Sequence, residues 1–330
     1  MAKVFNWVKE HRALSALFVV LLCMPLIFMN YSYGLMICCF IEIYVIGSSG
    51  YDILQGYAGQ VSMGHAAFYA IGAYGTFLMN SHLNIPPFTG ILISCLLSAG
   101  LGALLAYPAS NLKSSFLALA TQAFNQIIYQ ILIHSPGGIT GDHLGIFGTK
   151  LRILGIPFDN YTAFYYFGLV CVFLFIAAKI GMVHSRFGRA IQAIKQNPHA
   201  AEGMGVDTRK YKIIAFAVSA FYFAFAGGMY ATLVGYISPD SFTIAKSLQL
   251  LTMLMLGGTC SIAGPILGSI VITLLNELLR GYQEYQMLVY GIVLLLVILV
   301  MPAGLLGTYN NLKASWAAKR AAKKGETQNA

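Results

Sequence analysis

Polar and apolar positions along this chain of 330 residues form long blocks and not short alternations. A transmembrane helix needs about 20 apolar residues to cross about 30 Å of hydrocarbon, whereas barrel strands alternate apolar and polar residues over about ten positions. Backbone groups in lipid must find hydrogen-bond partners within the protein, which also favours helices. Stretches without Asp, Glu, Lys or Arg occupy residues 13–41, 53–112, 114–141, 160–178, 213–239, 247–276 and 285–312.

Division of these stretches at clusters of Gly, Pro, Asn and Ser predicts about ten spans. They lie near residues 13–30, 34–51, 62–80, 89–107, 115–133, 162–181, 212–235, 246–262, 264–281 and 286–302. Glycines interrupt the third and the eighth, so we expect broken or re-entrant segments there. The predicted fold class is an all-α polytopic membrane protein with one transmembrane domain over residues 1–310 and a basic tail over residues 311–330.

Composition excludes most other classes of protein. Hydrophobic residues make up 58% of the chain and charged residues 9%, whereas an ordinary soluble domain has about 25% charged residues. A soluble enzyme, a nucleic-acid-binding protein and a disordered chain are therefore excluded. The six cysteines fall in apolar stretches without a Cys-x-x-Cys pair, so we predict no disulfide framework, no metal site and no cofactor.

The basic residues predict an orientation. If the N-terminus is cytoplasmic, the segments on its side of the membrane hold sixteen of the twenty Lys and Arg residues. The opposite side holds only Lys150, Arg152, Lys246 and Arg280. Such a bias follows the positive-inside rule and predicts that both termini are cytoplasmic. It also explains the net charge of +9 without a nucleic-acid partner, since basic residues at a membrane surface also contact anionic lipid.

The segment 183–211 differs from the other connections between spans. Apolar residues recur there at helical spacing, at Phe187, Ile191 and Ile194. Asn197 and Pro198 are expected to end this helix, and Pro198 suits the first turn of a second short helix. Gly205 is a natural left-handed cap for that second helix. The pattern predicts two short amphipathic helices that form a cytoplasmic docking element.

Polar side chains inside the predicted spans are candidate functional residues, because such groups are costly in lipid. They are Glu42, Gln60, His65, Gln122, Asn125, Gln126, Asn276 and Glu277. Gln122, Asn125 and Gln126 share one helix face and either line a water-filled path or form hydrogen bonds between helices; the sequence favours neither. We expect Glu42 to be paired or near the membrane interface, and Glu277 to be solvated near the end of its span.

Residues 56–65 carry three glycines at positions 56, 59 and 64, so a regular helix is not expected there. Residues 59–64 also resemble residues 257–264, which suggests an internal repeat that opens two helices in the same way. His65 follows directly, and a single histidine in such a place is more often a structural hydrogen-bonding residue than a ligand. No catalytic motif accompanies these features, so we predict that the chain is not an enzyme.

Several motifs together resemble the permease subunits of branched-chain amino-acid ABC importers, in particular the longer, LivM-type permease. They lie at residues 56–74, 186–197, 200–205, 211–220, 226–230, 238–242 and 256–268. The resemblance extends over about residues 34–307. It implies a membrane subunit that works with a second, homologous permease, two cytoplasmic ATPases and an extracytoplasmic binding protein that delivers leucine, isoleucine or valine. It also implies the bacterial cytoplasmic membrane as the location.

The resemblance also implies roles for particular residues. Segment 183–211 corresponds to the element of importer permeases that docks in an ATPase groove. The candidates for ATPase coupling are Phe187, Arg189, Ala200, Ala201, Glu202, Met204 and Gly205. The candidates for the translocation path are Gly59, Gln60, Ser62, His65, Gln122, Asn125 and Gln126.

Other functions stay open at this point. Permeases for urea, short-chain amides or another small solute share the same fold, so the resemblance does not decide the substrate. The binding protein is expected to select the substrate to a large extent. An ion-coupled secondary transporter would need a titrating carboxylate within the membrane, for which Glu42 is the candidate. A membrane enzyme has no nucleophile and base to support it.

Overall fold

The computed structural model describes residues 32–110, 114–153, 156–158, 160–301 and 304–308. Its α-helices are α1 (Ser32–Tyr51), α2 (His65–Leu83), α3 (Pro87–Ala109), α4 (Ser114–His134), α5 (Tyr161–His184), α6 (Arg186–Gln196), α7 (Pro198–Gly203), α8 (Thr208–Val234), α9 (Ile244–Gly257), α10 (Ala263–Leu278) and α11 (Gln286–Val300). A π-helical turn, Asp52–Tyr57, extends α1. The all-α membrane class predicted from the sequence is confirmed.

Nine of the predicted spans coincide with helices α1–α5 and α8–α11, while the first, residues 13–30, lies outside the described residues. Within the described part, six helical segments are long and apolar enough to cross a membrane. They comprise α1 with its π-helical turn, most of α4, the whole of α3, α5 and α8, and the segment that contains α11. Helices α9 and α10 are shorter apolar helices.

Helix α8 is the centre of the bundle and packs against α1, α2 and α3. The α2–α8 contact is close because glycines replace side chains on both surfaces. A Cβ on Gly72 would overlap the carbonyl oxygen of Ala224, and a Cβ on Gly227 would overlap that of Tyr69. Such contacts between small residues are typical of helix packing in membranes.

The two ends of the bundle differ in structure. At one end, which we call the coupling end, α6 and α7 connect α5 to α8. At the other, the loop end, residues 135–153 and 156–158 contain two 3₁₀ turns (Pro136–Gly138 and Asp142–Leu144) and three short strands. The strands are β1 (Ile146–Phe147), β2 (Arg152–Ile153) and β3 (Ile156–Pro157). Strand β4 (Tyr236–Ile237) pairs antiparallel with β1, β2 pairs antiparallel with β3, and a further 3₁₀ turn, Pro239–Phe242, precedes α9.

Two irregular segments interrupt the helices where glycine-broken segments were predicted. Residues 58–64 separate the π-helical turn from α2, and Gly59 has a φ of 69°. Residues 258–262 separate α9 from α10, with φ of 109° at Gly258 and 56° at Cys260. The eighth predicted span therefore ends five residues too late, because the left-handed backbone at these positions is incompatible with a helix.

Candidate functional site

Helix α2 begins inside the bundle and not at its surface. Its first residue, His65, contacts Ser219, which lies eleven residues after the start of α8 at the coupling end. At 1.5 Å per residue, this places the start of α2 about 16 Å along α8. Residues 58–64 therefore carry the chain back into the interior before α2 begins. Discontinuous helices of this kind are typical of substrate sites in transporters.

Hydroxyl groups from two other helices satisfy the buried start of α2. The backbone N–H of Met63 donates to Thr121 Oγ1 of α4 at 3.0 Å, and the N–H of Ala66 donates to Ser247 Oγ of α9 at 3.0 Å. Free N–H groups at a helix start are costly away from water, so these contacts explain how the break is tolerated. They also join α2, α4 and α9 at one point.

The predicted path residues Ser62 and His65 lie within this packing. His65 Nδ1 is 2.8 Å from Ser62 Oγ, and its Nε2 is 2.9 Å from Ser219 Oγ. The imidazole stacks on the ring of Tyr51 with centroids 4.5 Å apart and meets the edge of Phe223 at 4.7 Å. Both nitrogens have partners and both side chains are buried, so His65 and Ser62 have the environment of structural residues.

The other path candidates in the first break have two different environments. Gly59 packs against the side chain of Lys195, because a Cβ there would lie 2.9 Å from Lys195 Cγ. Gln60 is buried, and its Oε1 has no hydrogen-bond partner among the described residues. Gln60 therefore retains an acceptor that is available to another group.

The three polar residues of α4 do not share one environment. Asn125 is 1% exposed and faces the bundle, with neither side-chain polar atom paired in the described part of the chain. Gln126 is exposed, and the exposure of Gln122 is intermediate between those of Asn125 and Gln126. Positions i+3 and i+4 lie about 100° apart around a helix, which is enough to turn one inward and the other outward. The predicted polar face therefore lies at the boundary between the bundle and an open surface.

That open surface of α4 carries a shallow depression. Gln126, Gln130 and His134 line one side of it at intervals of four residues, and Ala123, Ile127 and Ile131 line the other. Polar groups on the outside of a membrane span are expensive unless protein or water covers them. The exposed side chains of Gln126, Gln130 and His134 therefore suit contact with protein or water better than contact with lipid, beside a depression whose own surface is mainly apolar.

A buried ion pair at the coupling end was not anticipated from the sequence. Lys179 Nζ of α5 lies 2.7 Å from Asp52 Oδ2 in the π-helical turn, and both side chains are at most 2% exposed. Lys179 Nζ also donates to the carbonyl oxygen of Ser261 at 2.9 Å, and Asp52 Oδ1 accepts from the N–H of Cys260 at 2.7 Å. The pair thus fixes α1 and α5 to the second break.

Lys195 of α6 connects the short helices to the same place. Its Nζ donates to the carbonyl oxygen of Gly56 at 2.5 Å and lies 3.4 Å from Cys260 Sγ. Cys260 Sγ in turn lies 3.0 Å from the Gly56 carbonyl oxygen. A movement of α6 would therefore act directly on both interrupted segments. We call Asp52, Gly56, Lys179, Lys195, Cys260 and Ser261 the inner cluster.

The docking element has the form that the sequence predicted. Asn197 lies between α6 and α7, and its side chain accepts from the N–H of Ala200 at 3.1 Å. Pro198 occupies the first turn of α7, and Gly205 has a φ of 82°, as expected for a left-handed cap. Asp207 caps α8 by accepting from the N–H of Lys210 at 3.0 Å. Side-chain caps thus set both ends of the short helices.

The predicted coupling residues are divided between the inside and the surface of this element. Phe187 is partly buried, with its ring 6.0 Å from that of Tyr211, and Ala201 is buried. Phe187 therefore holds α6 against α8 and is not the exposed apolar residue expected. The exposed candidates are Arg189, Ala200, Glu202, Met204 and Gly205. Met204 is 85% exposed, which makes it the apolar side chain of this element that a partner can cover.

The remaining membrane carboxylates differ from expectation. Glu42 is 5% exposed, and neither of its carboxylate oxygens is paired within the described part of the chain. Glu42 is therefore not paired within the described residues, and the expectation that it lies near the membrane interface stays a prediction. Glu277 accepts a hydrogen bond from Tyr33 Oη and lies 3.6 Å from Arg280, so it is not simply solvated. The described residues contain no cluster of three His, Cys, Asp or Glu side chains that can hold a metal ion.

A model of the family described as the permease component of branched-chain amino acid transport systems matches residues 34–298. The chain belongs to this permease family. It is 33% identical over 290 residues to the high-affinity branched-chain amino acid transport system permease protein LivM of Escherichia coli K12, covering 80% of this chain and 68% of that protein. The LivM protein of Salmonella typhimurium is 32% identical over 325 residues, covering 91% of this chain and 75% of that protein.

The second permease of the same named system is also similar to this chain. LivH of Salmonella typhimurium is 27% identical over 285 residues, covering 80% of this chain and 91% of LivH. No solved structure matches the chain. The permease is therefore of the LivM type and a multi-pass membrane protein, and its family membership makes it a transport subunit and not an enzyme. Similarity to two permeases of one system indicates a permease pair.

Proposed function

We propose that this permease is the LivM-type subunit of an ATP-driven importer of leucine, isoleucine and valine in a bacterial cytoplasmic membrane, with both termini cytoplasmic. A second, LivH-type permease completes the membrane pair, two cytoplasmic ATPases bind at the coupling end, and a binding protein delivers substrate at the loop end. The observation that carries the proposal is the exposed α6–α7 element, which is linked through Lys195 to both helix breaks.

The inner cluster supports a mechanical route from the ATPases to the membrane. Closure of the ATPases would displace α7 and α6 as a unit, since side-chain caps hold both helices. Lys195 would transmit this displacement to Gly56 and Cys260, which adjoin the interrupted segments before α2 and α10. Irregular segments absorb such movements more easily than helices, because a few residues take up the change in φ and ψ.

The open surface of α4 supports a path shared by two permeases. Gln126, Gln130 and His134 form a polar stripe that is exposed in the part of the chain that the structure describes. A second permease with a polar stripe of its own would enclose a wet passage between the two subunits. The proposal assigns Gln122 and Gln126 to this passage, while Ser62 and His65 support it from inside the bundle.

An ion-coupled carrier is the second candidate, because the carboxylate of Glu42 is buried and unpaired among the described residues. The two candidates differ in their energy source. Uptake of labelled leucine into vesicles that hold the complete importer should require ATP under the proposed function. Uptake that persists when ATP is withheld and an ion gradient is imposed would contradict it.

Deletion of residues 198–205 tests the docking element itself. We expect the permease to remain inserted in the membrane and to lose co-purification with its ATPases. A milder pair of variants supplies a matched control. Met204→Asp at the coupling end should weaken ATPase binding, whereas Leu144→Asp at the loop end, where the side chain is 83% exposed, should not. An intact complex after the deletion would show that the ATPases dock elsewhere.

A further inference from the structure

Lys246 in the first turn of α9 occupies a cage of tyrosines at the loop end of the bundle. Its Nζ donates to Tyr44 Oη at 2.6 Å and lies 4.5 Å from the centre of that ring. The rings of Tyr69 and Tyr230 are each 5.7 Å from the same nitrogen. Three helices besides α9 therefore contribute to the cage, namely α1, α2 and α8.

The cage lies below the loop-end surface of the helices. Tyr230 precedes the last residue of α8 by four positions, which is about 6 Å along the helix. Tyr44 lies five positions after Cys39, whose Sγ contacts the carbonyl oxygen of the first residue of α5, Tyr161. Five positions are about 8 Å. The side chain of Lys246 therefore reaches into the bundle from the first turn of α9.

No carboxylate balances the charge of Lys246 in the part of the chain that the structure describes. None of the ion pairs there includes it. Glu42 is only two positions from Tyr44, but it faces α5, where a Cβ on Gly168 would overlap its Oε2. Aromatic faces and one hydroxyl attract an ammonium group but do not neutralise it. The cage thus holds a positive charge that can accept an anion.

Two further hydrogen-bond donors belong to helices that form the cage. Tyr69 is fully buried, and its Oη has no partner among the described residues. Gln249 lies one turn after Lys246 on α9, is 4% exposed, and has an Nε2 without a partner in the same part of the chain. Phe242 adds an apolar wall, since its ring centre is 5.9 Å from that of Tyr69. Donors beside apolar walls suit a small ligand that has both an anionic and an apolar part.

We propose that Lys246, with Tyr44, Tyr69 and Gln249, binds the carboxylate of the transported amino acid when it enters from the loop end. The aromatic rings contact the aliphatic side chain of the same molecule. The site rests on the proposed function, since it presupposes a carboxylate-bearing solute. It adds a recognition element within the permease to the selection made by the binding protein.

The test uses the complete importer in proteoliposomes with binding protein in excess, and measures leucine uptake per ATP hydrolysed. Loss of a hydrogen bond to a charged group costs about 1.5–3 kcal/mol, so Lys246→Met should lower this ratio about 10-fold to 100-fold. Lys246→Arg, which keeps the charge, should restore most of it. Lys150→Met removes an exposed charge at the same end and should leave the ratio unchanged. The rate of ATP hydrolysis should be similar in all four proteins.

The possible outcomes distinguish failure of the carboxylate site from failure of the proposed function. A wild-type complex that transports leucine, with an unchanged ratio in Lys246→Met, overturns the carboxylate site and leaves the proposed function intact. A Lys246→Met variant of low abundance whose assembled complexes transport normally shows that the cage only anchors helices, which also overturns the site. A wild-type complex that transports urea and no amino acid contradicts the proposed substrate and the carboxylate site together.

Discussion

Two lysines inside the bundle show opposite ways of keeping an ammonium group within a membrane protein. Lys179, in the inner cluster, pairs with Asp52 at 2.7 Å and donates to a backbone carbonyl. Lys246, at the loop end, has three tyrosine rings and one hydroxyl. Where the chain supplies its own carboxylate, the charge is used in structure. Where it supplies none among the described residues, the charge remains available to a ligand.

The secondary-structure elements around the two lysines also differ. The inner cluster joins the π-helical turn, the irregular segment 258–262, the short helix α6 and the last turns of α5, so most of its elements are not long regular helices. The tyrosine cage is built from the faces of α1, α2, α8 and α9. The first arrangement suits the transmission of a movement, and the second suits a binding surface of fixed shape. The variants below test this difference.

The largest expected effect is on protein stability, from Asp52→Asn. Removal of one member of a buried ion pair costs about 3–5 kcal/mol because the other charge is left without a partner. We therefore expect Asp52→Asn to lose most of its folded protein in detergent, measured by thermal unfolding and size-exclusion chromatography. Glu42→Gln is the matched control on the adjoining helix α1, since Glu42 is also buried but has no cation partner among the described residues. The thermal stability of Glu42→Gln should be close to that of the wild type.

A double variant separates charge pairing from other causes of instability. Asp52→Asn combined with Lys179→Met removes both charges and should recover part of the lost stability. If the double variant is no more stable than Asp52→Asn alone, the ion pair is not the reason for the loss. If Glu42→Gln is as unstable as Asp52→Asn, the contrast between a paired and an unpaired carboxylate on α1 is wrong.

The next effect concerns coupling, from Lys195→Gln. This change removes the ammonium group that joins α6 to Gly56 and to Cys260. The complex should assemble and hydrolyse ATP, while leucine uptake per ATP falls about fivefold, as expected when one hydrogen bond of about 1 kcal/mol is lost. Lys210→Gln, at an exposed position in the first turn of α8, is the control. Equal ratios in the two variants would show that the inner cluster does not transmit the movement of α6.

The sequence predicted the helical spans and the docking element well, because both depend on local patterns. The cap at Asn197, the start of α7 at Pro198 and the left-handed Gly205 all follow from neighbouring residues. The inner cluster was missed because Asp52 and Lys179 lie at the ends of apolar runs, where charges are normally taken as boundaries. Their contact joins residues 127 positions apart, which no local pattern reveals.

The environment of the Lys246 side chain was missed for a related reason. The positive-inside rule counts basic residues in connections between spans and does not consider aromatic side chains that admit a lysine into the span. Two of the three tyrosines in the cage, Tyr44 and Tyr69, come from distant helices. The sequence identified the polar residues of α4, but their division between a buried Asn125 and an exposed Gln126 depends on the packing of other helices.

The smallest expected effect comes from Gln122, which lies at the boundary between the buried and the exposed face of α4. Unlike Lys179 and Lys246, it carries no charge that needs an ion pair or an aromatic cage. Gln122→Leu keeps the size of a half-buried side chain and removes its polar group. If Gln122 lines the passage between two permeases, leucine uptake should fall about threefold at unchanged membrane abundance, while ATP hydrolysis persists. If it forms hydrogen bonds between helices, a loss of about 1 kcal/mol or less should lower stability instead. Leu119→Ala, at an exposed apolar position on the same helix, controls for altered contact with lipid or a partner. Unchanged uptake with reduced thermal stability would remove Gln122 from the path and leave the exposed stripe of Gln126, Gln130 and His134 to line it alone.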